Sequence, residues 1–291
     1  MRLDTCYPLL MFIAALLIFG TNGVVASTIG LSGSQIVLLR SMVGTVALVV
    51  LFLAMGNVFT FHRERRTALL MVASGVSMGL SWMCLFEAYD LVGVGMASLE
   101  YYCGPVIVMA FSPLLFGERL SVRRVLGFIV VFLGIIAVSV EGIGGSTGAD
   151  GLILGALSAV LLAVMVITNK KAEGVHGMEN PVVQLSIAFL TVAAVSVITG
   201  DVAMTVSVSD VPGILVLGLV NTALGCFLYF SSIGRIRSQT VAVCGYIEPL
   251  TAVLLAALVL CEPMAPVQIL GAAMVIGGAL LCEVGAAVPK G

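Results

Sequence analysis

The sequence predicts an all-α integral membrane protein with ten transmembrane helices, arranged as two inverted five-helix repeats around a central cavity. Three observations predict this fold class: the composition, the spacing of the apolar segments, and the similarity between the two halves of the chain. Hydrophobic residues make up 60% of the 291 positions and charged residues only 10%. Soluble domains carry about 25% charged residues, so this composition favours a surface that faces lipid.

Ten apolar segments are each long enough to cross a bilayer, which takes about 20 residues of helix. Glycines, prolines and charged residues separate them, and every connection is short. The predicted spans are residues 7–27, 34–55, 67–89, 94–115, 122–140, 150–169, 180–199, 213–233, 238–261 and 266–285. The first span also fits a signal peptide that is cleaved after Ala26, but the internal repeat requires this segment as a helix.

Basic residues are distributed on one side of the predicted spans. All but one of the 13 lysines and arginines lie at the two ends of the chain or after the second, fourth, sixth and eighth spans. The exception, Arg40, lies inside the second span. Because Lys and Arg mark cytoplasmic loops, we expect both termini in the cytoplasm and a multi-pass protein of a plasma membrane of the bacterial inner-membrane type.

The two halves of the chain align at an offset of 144 residues. The coincident pairs include Tyr102 with Tyr246, Pro105 with Pro249, Glu118 with Glu262, Gly127 with Gly271 and Gly134 with Gly278. We therefore predict one repeat at residues 1–145 and a second at 146–291. Five spans is an odd number, so the second repeat enters the membrane from the opposite side. Inverted repeats around a midplane site are a design of secondary transporters.

Glu118 and Glu262 follow the fourth and ninth spans at equivalent positions of the repeat. We expect a structural role at these turns, in which each carboxylate caps the helix that comes next.

Arg40 and Glu100 are charged residues at matching predicted depth. They lie about seven and about six residues into the second and fourth spans, which is roughly 10 Å and 9 Å from the same boundary. This predicts an ion pair between the two helices. The alternatives are that Arg40 meets a substrate carboxylate in a cavity, or that it extends its charge toward the interface.

Glu248 lies about ten residues into the ninth span, roughly 15 Å deep and near the midplane. A buried carboxylate at this depth is protonated or paired. Three roles fit the sequence: a proton carrier, a ligand for a substrate ammonium group, or an acceptor for backbone groups that Pro249 leaves without a partner.

Polar residues at helical spacing predict a cavity wall, since a polar stripe on a span faces protein or water. Together with Arg40, Glu100 and Glu248, the predicted cavity residues are Ser77, Ser81, Trp82, Tyr102, Asn221, Tyr229, Tyr246 and Thr251. The alternative for the small residues is close helix packing, and for Trp82 it is a packing role.

Several motifs resemble the EamA-like branch of the drug/metabolite transporter superfamily, in both halves and over nearly the whole chain. They are Leu38-Leu39-Arg40, Leu99 to Pro105, Gly117 to Ser121, Ile247-Glu248-Pro249 and Cys261-Glu262-Pro263. The resemblance implies ten helices, a central cavity between helices 1–4 and 6–9, and frequent export of amino acids or other metabolites. The segment Leu99 to Pro105 is most similar to amino-acid exporters. Cys261 departs from the pattern, because the first half has Gly117 at this position.

The predicted function is secondary transport, of exporter type, of a small polar metabolite such as an amino acid, by alternating access. Proton coupling is one option. The expected partners are a small-molecule substrate and the lipid bilayer, with no nucleic acid, no cofactor and no metal site. The chain has no phosphate loop for direct use of ATP. The alternatives are an integral membrane enzyme that acts on lipid and a membrane assembly protein. The G-x-S-x-G string at Gly75 to Gly79 does not favour catalysis, since both histidines lie in predicted loops.

Overall fold

The structure is a computed structural model and describes residues 3–116, 122–139, 146–172, 174–175, 177–233, 244–245, 247–262 and 265–284. Every regular element within these ranges is helical. The first half contains α1 (Leu3–Gly20), α2 (Asn22–Ala26), α3 (Gly33–Ala54), a 3₁₀ turn (Phe61–Arg63), α4 (Arg65–Val92), α5 (Val94–Tyr101), α6 (Gly104–Phe116) and α7 (Val122–Ser139). The second half contains α8 (Ser146–Lys171), α9 (Glu179–Thr199), α10 (Val211–Leu215), a π-helix (Val216–Leu224), α11 (Gly225–Ile233), α12 (Ile247–Leu258) and α13 (Pro266–Val284).

Among the described residues, six segments are long and apolar enough to cross a membrane. They are Tyr7–Ala26, Gly33–Ala54, Arg65–Val92, Ala149–Lys171, Glu179–Thr199 and Val211–Tyr229. Shorter apolar segments lie at Val125–Gly134, Ile247–Leu258 and Pro266–Gly278. Large apolar side chains face outward, such as Ile198 at 83% exposure. An outward apolar surface of this extent fits lipid, in agreement with the predicted all-α membrane class.

Within the described residues, three predicted spans are interrupted. The first has a turn residue, Thr21, between α1 and α2, and the eighth contains the π-helix. The fourth is broken at Tyr102 and Cys103, so α6 begins at Gly104. This break has a local cause: Pro105 has no N–H to donate, and proline is tolerated in the first turn of a helix.

The start of α3 is held by its own cap and by α4. Ser32 and Gln35 form a capping box. The backbone N–H groups of Gly33 and Ser34 donate to the carboxylates of Asp90 and Glu87 at 3.2 and 2.8 Å. These bonds satisfy donors that a helix start leaves open. They also anchor α3, two turns before Arg40, against the end of α4.

The interior is organised around α4 and α1. Helix α4 packs against α3, α8 and α9, while α1 packs against α11, the π-helix and α12. The largest fully buried side chains include Phe12 in α1, Phe52 in α3 and Phe86 in α4. Residues of both groups line the central cavity described below.

Helices α7 and α13 pack through reciprocal glycine contacts. A Cβ atom added at Gly134 would lie 2.8 Å from the Gly271 carbonyl oxygen, and one added at Gly278 would lie 2.8 Å from the Gly127 carbonyl oxygen. These four residues are the pairs that coincide at the offset of 144. The two helices therefore approach closely at both contacts because neither has a side chain there.

Glu262 caps a helix of the other half of the chain. Its carboxylate accepts hydrogen bonds from the backbone N–H groups of Val94 and Gly95, at 2.8 and 2.9 Å, at the start of α5. The prediction that Glu262 caps the next helix along the chain is therefore corrected: the cap is made in space, not in sequence. Glu118 lies outside the described residues. Cys261 has a φ of 53°, a left-handed conformation that residues other than glycine rarely adopt.

Candidate functional site: a central cavity with two opposite charges

A cavity of about 550 Å³ lies at the centre of the helices. Its wall is contributed by α1 to α5, α8, α9, the π-helix, α11 and α12. Most of the wall is apolar or aromatic, with contributions from Phe19, Met78, Leu85, Phe86, Tyr89 and Tyr101. A predominantly apolar cavity with a few polar groups is the usual form of a small-molecule site.

Arg40 is the cationic group of the inner wall. The residue is only 3% exposed, and its guanidinium carbon lies 4.6 Å from the ring centroid of Trp82 and 5.0 Å from that of Phe86. Its Nε–H donates to the Thr222 hydroxyl at 3.3 Å. These distances are in the range of cation–π contacts. Within the described part of the chain, no carboxylate forms an ion pair with Arg40.

Glu248 is the anionic group of the same cavity. It lies near the start of the described part of α12 and lines the cavity together with Tyr102, whose hydroxyl interacts with this carboxylate. Tyr102 occupies the break between α5 and α6. The interrupted fourth span therefore places a phenol against the carboxylate of the other half of the chain. The cavity therefore holds one guanidinium, of Arg40, and one carboxylate, of Glu248, and the two do not form an ion pair with each other.

Asn221 and Tyr229 line the cavity and also hold α1 in place. The Asn221 side-chain amide donates to the Ile18 carbonyl and to the Thr21 hydroxyl, both at 2.8 Å. The Tyr229 ring lies 5.3 Å from the ring of Phe12. Asn221 therefore satisfies backbone and hydroxyl groups at the break between α1 and α2, in addition to lining the cavity.

The structure places five predicted site residues in the cavity wall besides Arg40. They are Trp82, Tyr102, Asn221, Tyr229 and Glu248. Tyr246 lies outside the described residues. The remaining four predicted residues, Glu100, Ser77, Ser81 and Thr251, lie elsewhere.

Glu100 lines a second, smaller cavity of about 220 Å³, among apolar residues that include Cys103, Val106 and Ile107. The predicted ion pair between Arg40 and Glu100 is therefore wrong, because the two side chains face different spaces. Gly155 makes room for the Glu100 carboxylate: a Cβ atom at position 155 would lie 1.8 Å from one of its oxygens.

Three small polar residues pack instead of lining the cavity. Ser81 is buried, and its hydroxyl donates to the Ser158 carbonyl of α8 at 2.7 Å. Ser77 is buried in α4, outside the cavity wall. The Thr251 hydroxyl donates to the Ile247 carbonyl at 2.7 Å, and its methyl group packs on Gly20. The alternative of close packing by small residues applies to these positions.

Sequence reasoning missed Thr222, which contacts Arg40. The residue follows Asn221 directly, and in a regular α-helix consecutive residues do not face the same side. Both residues lie in the π-helix and both line the cavity. We know of no sequence signal for this segment that would have predicted it.

Polar groups at one end of the cavity mark its mouth. These groups are Asn169 and Lys170 at the end of α8 and Gln184 at the start of α9, where Pro181 also lines the cavity. Lys170 is exposed. At the opposite end, a Cβ atom on Gly23 would lie 2.1 Å from the Val94 side chain, so α2 and α5 are in close contact there. The described residues contain no cluster of side chains suited to a metal ion.

A family model whose description is EamA-like transporter family matches the chain over residues 7–140 and again over 149–283. A solved crystal structure of another protein has a TM-score of 0.68 with this chain at 20% identity, and the match covers 98% of this chain and 100% of the other. At this identity the likeness concerns the fold.

Three bacterial relatives are named as transport proteins. The uncharacterized transporter YxxF of Bacillus subtilis is 26% identical, over 84% of this chain and 78% of its own length. The pseudopaline exporter CntI of Pseudomonas aeruginosa is 25% identical, over 75% of this chain and 74% of its own. A probable amino-acid metabolite efflux pump of Salmonella typhimurium is 23% identical, over 78% and 81%. The names indicate transport, not catalysis.

Proposed function

The chain belongs to the EamA-like transporter family, and from this premise we propose that it is a secondary transporter that exports a small polar metabolite, such as an amino acid, by alternating access. One observation carries the substrate part of the proposal: Arg40 and Glu248 face the same cavity of about 550 Å³. A solute with a carboxylate and an ammonium group offers a partner to each. The relatives named as an exporter and an efflux pump support the direction of transport.

Arg40 binds the carboxylate of the substrate in this proposal. A charge buried in a membrane protein is costly and functional by default. Among the described residues, Thr222 accepts only the Nε–H of Arg40. The two terminal amino groups of the guanidinium then remain to bind a carboxylate in the cavity. A planar guanidinium matches a carboxylate through two parallel hydrogen bonds.

Glu248 binds the ammonium group of the substrate or carries a coupling proton. Both roles use the same property: a carboxylate in an aromatic wall is stabilised when it is protonated or when it pairs with a cation. The interaction of the Tyr102 hydroxyl with Glu248 links either event at this carboxylate to the break in the first repeat. Transport coupled to protons predicts a dependence on pH that disappears with the carboxylate.

The proposal includes ten transmembrane helices in two inverted repeats. Reciprocal contacts between α7 and α13 support this arrangement. Gly134 contacts Gly271, and their repeat equivalents, Gly278 and Gly127, contact each other in the same way. The family model also matches once in each half. Two similar repeats of opposite direction can exchange conformations, which converts a cavity open to one side into a cavity open to the other.

The structure corresponds, in this proposal, to the state that is open to the cytoplasm. The polar mouth lies beside Lys170 and Lys171, and basic residues mark the cytoplasmic side. The end near Val94 and Glu262 is then the closed, outer end. Both termini lie in the cytoplasm and the membrane is the bacterial plasma membrane.

Trp82 offers a direct test, because it is the single tryptophan of the chain and lies in the cavity wall. Purified protein would be titrated with amino acids and related zwitterions while the Trp82 emission is recorded. Solutes that change the emission would then be tested for flux in proteoliposomes. We expect saturable binding and flux for a zwitterion, and loss of both in Arg40→Gln. Flux of uncharged solutes only, or full activity in Arg40→Gln, would contradict the proposal.

A further inference from the structure

Thr222 connects the π-helix to the buried cation of the cavity. It is 1% exposed, and its hydroxyl makes two contacts. The hydroxyl proton is donated to the Leu217 carbonyl, five residues earlier, at 2.7 Å. The hydroxyl oxygen accepts the Arg40 Nε–H at 3.3 Å. Because its one proton is committed to Leu217, the hydroxyl presents only lone pairs to Arg40.

The spacing of five residues matches the hydrogen-bond spacing of a π-helix. In this segment, Val216–Leu224, one extra residue per turn changes the direction of the side chains that follow. Thr222 therefore faces α3 next to Asn221, which faces the end of α1. Single turns of π-helix occur often at functional sites.

Two glycines fit the π-helix against α3 at this point. A Cβ atom on Gly44 would lie 2.5 Å from the Thr222 methyl group, and one on Gly218 would lie 2.5 Å from the Val43 side chain. The methyl group of Thr222 thus packs on α3 while its hydroxyl binds Arg40. The two parts of the side chain have separable roles.

Among the described residues, the contacts of Arg40 leave one edge of its guanidinium for a ligand. Thr222 binds the Nε side, and the rings of Trp82 and Phe86 lie at 4.6 and 5.0 Å. The two terminal amino groups then form the edge that opens to the cavity. An end-on approach to these groups allows two parallel hydrogen bonds to one carboxylate.

We propose that Thr222 is a positioning residue for Arg40: it holds the Nε–H so that the two terminal amino groups face the cavity and receive a carboxylate end-on. The carboxylate as ligand rests on the proposed function, whereas the positioning itself does not. The π-helix is the means by which Thr222 reaches this position.

The first experiment needs no substrate. Arg40 lies beside the only tryptophan, so the emission of Trp82 reports whether the guanidinium keeps its place. We would compare wild type with Arg40→Met, Thr222→Val, Thr222→Ala and Thr222→Ser. Valine keeps the methyl group and removes the hydroxyl, and serine does the reverse. Thr191→Val is the matched control. The Thr191 hydroxyl donates to the Ile187 carbonyl at 2.9 Å, and Thr191 is not part of the cavity wall. Circular dichroism and gel filtration would show that each variant is folded.

We expect Arg40→Met to shift the emission maximum, and Thr222→Val or Thr222→Ala to shift it in the same direction by at least half as much. Thr222→Ser and Thr191→Val should keep the wild-type emission. Thr222→Ala makes the test possible if valine is not accommodated. Wild-type emission in both hydroxyl-free variants would overturn the proposal. So would a full shift in Thr222→Ser, or an unchanged emission in Arg40→Met.

The second experiment uses L-leucine and L-leucinamide, which differ in the carboxylate, together with any zwitterion that is transported in the flux assay. For a transported zwitterion, we expect Thr222→Val to raise the half-saturating concentration roughly tenfold at a nearly unchanged maximal rate. Thr222→Ser should restore it. If no zwitterion is transported, the proposed function fails while the emission data still decide the positioning role. An unchanged half-saturating concentration in Thr222→Val would overturn the end-on geometry.

Discussion

Glu262 and Val94 join the two halves of the chain beside α2. The carboxylate that follows α12 accepts the backbone N–H of Val94 at 2.8 Å and that of Gly95 at 2.9 Å. Gly93 has a φ of 85° and leaves the carboxyl group room, since a Cβ atom there would lie 3.1 Å from it. A carboxylate at a helix start is stabilised by the unpaired N–H groups and by the helix dipole. In the alternating-access cycle that we propose, this contact breaks.

Glu262→Gln should weaken the closed end. An amide has one oxygen, so one of the two N–H groups faces a donor and loses its partner. We expect faster reaction of the cavity thiol Cys226 with an impermeant reagent added from the outside, in a variant whose other cysteines are replaced. Asp150→Asn, which removes an exposed carboxylate, is the control. Equal labelling rates in the two variants would show that Glu262 does not hold this end closed.

Glu248→Gln should abolish uphill flux while the protein still folds and inserts, because glutamine keeps the shape and loses the charge. If Glu248 carries a proton, substrate affinity stays nearly intact and the pH dependence of transport disappears. If it binds an ammonium group, the affinity falls by about 1–3 kcal/mol. Binding and counterflow across mildly acidic to mildly alkaline pH would separate these roles, with Glu64→Gln as an exposed control. Unchanged flux with an unchanged pH profile would leave Glu248 only a structural role.

Arg40→Gln and Glu100→Gln should act independently on stability, because the two residues line different cavities. We expect a coupling free energy below about 0.5 kcal/mol in a double-mutant cycle, the limit for sites without shared partners. Thermal or denaturant unfolding in detergent would measure it. A coupling of several kcal/mol would restore the ion pair that the sequence predicts.

Gly155→Ala should destabilise the protein, since the added methyl group would meet a Glu100 oxygen at 1.8 Å. Overpacking of this kind costs about 1–3 kcal/mol. The matched control is Gly277→Ala in α13, where an added Cβ atom meets no neighbour within 4 Å; it should be neutral, or stabilising by up to about 1 kcal/mol. Similar melting temperatures for the two variants would contradict the close contact of α5 and α8.

A cysteine at Ser146 should test the proposed orientation. The one-sided placement of Lys and Arg predicts that the segment from Gly142 to Asp150 lies outside the cytoplasm. In a variant without other cysteines, this thiol should react with an impermeant reagent in intact cells. Labelling only after lysis would reverse the orientation.

The all-α membrane class and the transporter family follow from properties that the sequence contains locally. Composition, span length and motifs such as Ile247-Glu248-Pro249 do not depend on how the helices rotate against each other. They also suffice to place Arg40, Trp82 and Glu248 within spans. Depth along a helix follows from a rise of about 1.5 Å per residue, so residues at matching depth can be found in this way.

Only the tertiary structure decided which residues of equal depth share a space. Arg40 and Glu100 have matching predicted depths but line different cavities. Gly44 leaves room for Thr222 against α3, and Gly155 leaves room for the Glu100 carboxylate against α8. The direction in which each side chain faces depends on close approaches at glycines and on the π-helix, which no helical periodicity predicts. In the same way Glu262 finds its N–H partners 167 and 168 residues away in sequence. The sequence by itself determined the membrane class and the depth of the charged residues along their helices, because these depend on residue type and helical rise; helix rotation and packing determined the partners of those charges.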